Sequence, residues 1–76
     1  MIRYDEHAEF QLERRGIAKE WVEETLRDPQ ETQTRGSRMS FLRCLKDRNF
    51  MLRVVTPRYD AEYVITAYFD RRKPCA

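Results

Sequence analysis

The chain has 76 residues, 41% of them hydrophobic and 37% charged, with 15 Lys and Arg against 13 Asp and Glu and a formal net charge of +2. A chain of that length makes one small domain that buries about 60% of the surface its unfolded form exposes, with no room for a cofactor-sized cavity. The composition excludes a disordered or membrane-embedded chain. No apolar run approaches the roughly 18 residues of a membrane span, and no leader-like stretch opens the sequence, so a cytoplasmic protein with no membrane partner is expected.

In chain order, a short extended segment, Ile2–Tyr4, leads to Asp5, whose carboxylate can cap the free N–H groups of a helix. The first helix is predicted over Glu6–Arg15, ending at Gly16, and a second over Ala18–Arg27, ending before Pro29. The second carries Ala18, Trp21, Val22, Thr25 and Leu26 at helical spacing. The period then changes to that of strands over Glu31–Arg35, Arg38–Lys46, Phe50–Thr56 and Glu62–Asp70, separated by turn-forming residues such as Gly36-Ser37. Short connections imply antiparallel neighbours. The expected fold is α+β, an N-terminal αα-hairpin packed on one face of a three- to four-stranded antiparallel sheet. It forms a single domain over residues 1–76, with 71–76 as a flexible tail.

Cys44 and Cys75 are the only cysteines, and with one histidine in the chain they make no zinc-binding pattern. Cys44 reads as a small core residue and Cys75 as an exposed thiol, since a disulfide is disfavoured in a reducing compartment. Neither a cofactor nor a metal is expected.

The small net charge conceals an asymmetry. Residues 1–30 hold eight acids and five bases, −3, whereas residues 31–76 hold ten bases and five acids, +5. Twelve of the fifteen bases are arginine, whose planar fork fits phosphate oxygens bidentately. The basic half suits either an anionic partner, nucleic acid above all, or a merely solvated surface.

Strand alternation sorts these residues onto two faces. Turning Leu42 and Cys44, then Phe50, Leu52 and Val54, then Tyr63, Ile65, Ala67 and Phe69 toward the helices leaves Arg43, Arg53, Thr66 and Tyr68 together on the other face. Two guanidiniums, a hydroxyl and a phenol would suit a phosphodiester. On the first helix, His7, Gln11 and Arg14 lie within about 60° of one another, with Arg15 beside them. His7 is the one side chain here that ordinarily exchanges protons near neutral pH. It reads either as a general base beside an anion clamp or as an ordinary helix residue.

The pattern His7, Arg14-Arg15-Gly16-Ile17, Val22 and Pro29, followed by "LRVV" and "VITAY", resembles a small bacterial family of unknown function over roughly residues 4–70. That family in turn resembles the RelE/ParE toxins and, more distantly, the barnase-like ribonucleases. The resemblance implies a toxin-like, metal-independent endoribonuclease of the mRNA-interferase type. At the positions it carries over, His7 would be the acid–base group, Arg53 the charge stabiliser, Tyr68 and Thr66 the orienting groups, and Arg14 or Arg15 a phosphate contact, with Arg43, set beside Arg53 by strand alternation, as a further one. The expected partners are RNA, free or ribosome-bound, and an antitoxin peptide. One alternative is a non-catalytic protein-binding module that presents Phe41, Met51 and Val64 as an apolar contact patch, and another is a homodimer whose sheet face is its own interface.

Overall fold

The computed structural model describes residues 1–75; Ala76, the last residue of the expected tail, lies outside them. Asp5 begins the first helix, α1 (Glu6–Arg15), by accepting a hydrogen bond from the backbone N–H of His7 at 3.2 Å. Gly16 ends it in the left-handed conformation, φ 66°, donating to the Glu13 carbonyl while Ile17 donates to that of Leu12. This paired closure also drops Ile17 and Leu12 into the core. The second helix, α2 (Lys19–Arg27), starts from Ala18 with no side-chain cap and buries Val22 and Thr25. The Thr25 hydroxyl donates to the Trp21 carbonyl at 2.8 Å, so its polar atom is satisfied inside the helix.

The architecture is α+β. Four strands, β2 (Glu31–Arg35), β3 (Arg38–Arg43), β4 (Phe50–Pro57) and β6 (Thr66–Pro74), form a sheet in the order β2-β3-β4-β6, with every neighbour antiparallel. A second ribbon pairs β1 (Arg3–Tyr4) with β5 (Tyr63–Val64) in parallel. Short connections gave no hint of this ribbon. The helices pack on one face of the sheet, around Ala8, Leu12, Val22, Leu52, Val54, Val64 and Ala67.

Register decides which side chains share a face, because directly opposite residues point the same way. Arg53 stands opposite Leu42 on one side and Tyr68 on the other, whereas Leu52 stands opposite Arg43 and Phe69. The alternation predicted for β4 and for the Ala67–Phe69 part of β6 therefore holds, and that predicted for β3 is inverted. Leu42 lies on the outer face, flanked by Glu31 and Arg53 and fully buried, and Arg43 points toward the helices.

Further corrections follow from the same geometry. The last strand breaks at Ile65, so Val64 and Ala67, three residues apart, both reach the core. Phe41 and Val64 are buried and cannot form the exposed patch proposed with Met51, which is itself half-buried. Residues 71–74 continue β6 rather than forming a tail. Cys44 and Cys75 are joined in a disulfide with Cα atoms 5.7 Å apart, which overturns the free-thiol expectation and removes the cysteine argument for a cytoplasmic location. No helix among the described residues is long and apolar enough to cross a membrane.

Candidate nucleic-acid interface

The outer face of the sheet carries an open groove of about 860 Å3. Its walls include Gln33 and Arg35 of β2, Arg38 and Ser40 of β3, Arg53 and Val55 of β4, and Thr66, Tyr68, Asp70, Arg72 and Lys73 of β6. Five of these are bases and one is an acid. Those of β3, β4 and β6 come from strands whose opposite faces are packed on the helices, so their backbones are fixed by the core, and β2 is held by its ladder to β3.

Arg53 and Asp70 anchor the groove. Arg53 donates from Nε to Asp70 Oδ2 at 2.9 Å and from Nη1 to Gln33 Oε1 at 3.1 Å, with Nη2 2.8 Å from Asp70 Oδ2. Arg72 donates to Asp70 Oδ1 from its backbone N–H at 2.9 Å and from Nε at 3.3 Å. Burial pushes the Asp70 carboxyl upward, but these donors outweigh it and hold the group below the usual carboxylate range. Beside them, Lys73 donates to Glu31 at 2.9 Å, and Gln33 donates to the same carboxylate at 2.7 Å. Those two donors keep Glu31 below its ordinary pKa.

The β6 rim of the groove is built from α1. The Thr66 hydroxyl donates to Gln11 Oε1 at 2.6 Å and accepts from Arg15 Nη1 at 3.4 Å. Arg15 also donates to the Ala67 carbonyl at 2.8 Å and lies 5.8 Å from the centre of the Tyr68 ring. The ring is thus stacked on by a guanidinium at the rim and stands opposite Arg53.

Of the residues singled out from the sequence, Arg53, Thr66 and Tyr68 meet in the groove, and Arg15 closes its rim. The others lie elsewhere. Arg43 is on the inner face, bound to Glu24 at 3.1 Å and to the Asp28 carbonyl at 2.9 Å, so it cannot face the same ligand as Arg53. Arg14 is exposed and makes no hydrogen bond or ion pair among the described residues. His7 is exposed two helical turns before Arg15, about 12 Å along the axis, in a shallow surface depression with Asp5, Glu6 and Phe10. It does not line the groove. Among the described residues, no group of three His, Cys, Asp or Glu side chains is arranged to hold a metal ion.

Sequence reasoning missed Arg35, Arg38 and Asp70. The signal for the arginines was the two-residue turn Gly36-Ser37, which sets Arg35 opposite Arg38 and fixes every residue behind them. Asp70 gave no such signal, since its role depends on where Arg53 and the end of β6 meet.

No curated protein and no solved structure matches the chain significantly. Residues 4–69 match the family described as Domain of unknown function (DUF4258), and the chain belongs to that family.

Proposed function

We propose that the outer sheet face binds single-stranded RNA and that the protein acts there as a metal-independent endoribonuclease of the toxin type. The observation that carries this reading is the charge of the groove, five bases against one acid, arranged around the half-buried Tyr68 and Thr66. Guanidiniums there would hold backbone phosphates, and the phenol ring offers a stacking surface for a base. The toxin type comes from the resemblance of the His7-to-Ile17 and strand motifs.

In the reaction, the ribose 2′-OH attacks the neighbouring phosphorus and the 5′-oxygen leaves, giving a 2′,3′-cyclic phosphate and a 5′-hydroxyl. One proton is removed from the 2′-OH and one is delivered to the departing oxygen. Asp70 is a poor candidate for either transfer, because a carboxyl held below its usual range is a weak base. Lys73 is occupied by Glu31. Tyr68 is left as the phenol that gives its proton to the departing 5′-oxygen. The 2′-OH proton passes to water and the phenolate regains a proton from solvent, while the guanidiniums meet the charge that grows on the phosphate oxygens. An antitoxin peptide would act by covering this same face.

Purified protein incubated with mixed-sequence RNA in EDTA, beside Tyr68→Phe and Thr66→Val variants, tests the proposal. Cyclic-phosphate ends from the wild type, lost with Tyr68→Phe, are expected. RNA binding without cleavage, on free RNA and on ribosomes alike, would reduce the protein to a binding module, and absence of binding would reject the reading.

A further inference from the structure

Within the groove, the cationic side chains fall into two groups. Arg53 and Arg72 are held by Asp70, and Lys73 by Glu31. Arg35 and Arg38 have no hydrogen bond or ion pair among the described residues, and both are exposed. They also stand directly opposite each other across the turn Gly36-Ser37. Like charges in that position have Cβ atoms about 4.5–5.5 Å apart and repel, at a cost to the hairpin. Among the described residues no acid pairs with either guanidinium to offset this repulsion. The turn that carries them is fixed, with Gly36 at φ 59° and the backbone N–H of Arg58 donating to the Ser37 carbonyl at 2.8 Å.

We infer that Arg35 and Arg38 form a two-armed clamp for one backbone phosphate of the RNA, at the hairpin end of the groove. This rests on the RNA reading above and adds a second phosphate contact to the one beside Tyr68, where the Arg53 guanidinium is already held by Asp70 and Gln33. Arg38 lies opposite Pro57, four residues along β4 from Arg53, so the clamp and the Arg53–Tyr68 pair are separated by about 13 Å along the sheet. A chain bound at both points runs lengthwise in the groove, passing Gln33 and Ser40, which are opposite each other between them.

The test is the fluorescence anisotropy of a short labelled RNA in EDTA, titrated at several potassium chloride concentrations. It compares the wild type, Arg35→Gln/Arg38→Gln, and a control, Arg14→Gln/Arg27→Gln, which removes the same charge from the helices. The hairpin variant should bind about tenfold or more weakly, and its salt slope should fall by about 0.7, the value for one single-strand phosphate contact. Its melting temperature should not drop, because the substitution relieves a repulsion. The control should bind as the wild type does. Equal affinity for the hairpin variant and the wild type overturns the clamp while leaving the RNA reading in place. An equal loss in hairpin variant and control also overturns it, as an effect of bulk charge. A wild type that binds no RNA removes both.

Discussion

Arg53 and Asp70 form an ion pair between neighbouring strands in which both side chains are almost withdrawn from water, at 11% and 3% exposure. They are diagonal rather than opposite neighbours, since Asp70 stands across from Met51 and Arg53 across from Tyr68. An arrangement of this kind stabilises little when intact and costs a great deal when one partner is lost, because the other charge remains buried. Asp70→Ala should therefore lower the unfolding free energy by about 3 kcal/mol, read from urea titrations. A loss no larger than that of an ordinary surface substitution would show that Arg53 finds water without Asp70.

The same pair sets an acid limit. The Asp70 carboxyl has a folded pKa below its usual value, so the unfolded chain binds the proton first as pH falls. Its contribution is complete above the unfolded pKa of about 3.9 and is lost as the pH drops from there through the folded value. Urea titrations over that range should show stability falling faster for the wild type than for Asp70→Ala. Parallel curves would mean that Asp70 titrates alike in both states.

Reduction of the Cys44–Cys75 bond opens a ring that joins residues 31 apart in sequence. Loop-closure entropy puts the loss at about 3–4 kcal/mol. The melting temperature should fall in a thiol reductant, and Cys44→Ser/Cys75→Ser should melt at that lower temperature with or without reductant. Equal melting of oxidised and reduced wild type would show that the bond adds no stability.

His7→Ala should leave RNA cleavage within about twofold of the wild type and stability within about 0.5 kcal/mol, since the side chain is exposed and lies off the groove. Thr66→Val should cost about 1 kcal/mol, because Gln11 loses the donor it faces at 2.6 Å. Cleavage assays and urea titrations check both. Abolished cleavage in His7→Ala would return proton transfer to the helix and away from Tyr68.

The helices and most strand limits were legible because their signals are local: Asp5 and Gly16 bracket α1, Pro29 follows the end of α2, and Gly36-Ser37 marks the first hairpin. The inner and outer faces were legible where apolar and polar residues alternate cleanly, as in Leu52, Arg53 and Val54. They were not legible at Phe41-Leu42, two adjacent apolar residues that fit either face. Turning Leu42 inward together with Cys44 gives the wrong face, since the strand ends at Arg43 and Cys44 belongs to the disulfide. The candidate site followed suit. Arg53, Thr66 and Tyr68 were placed together from β4 and β6 alone, whereas Arg43 inherited the error of β3. Asp70 and the cysteine pair depend on contacts made only after the sheet has assembled.

The parallel ribbon of β1 and β5 bears on how the chain reaches this fold. Arg3 pairs with Tyr63 and Tyr4 with Val64, a separation of 60 residues. Closing so long a loop carries an entropic cost that only a mostly assembled domain can offset, so this pairing forms late in folding. By the same reasoning it is the first to open from the native state, lifting Ile2 and Tyr4 from the core they pack against. The backbone N–H groups of Arg3 and Asp5, bound to the Glu62 and Val64 carbonyls at 2.7 and 3.0 Å, are the amides whose hydrogen exchange reports that opening.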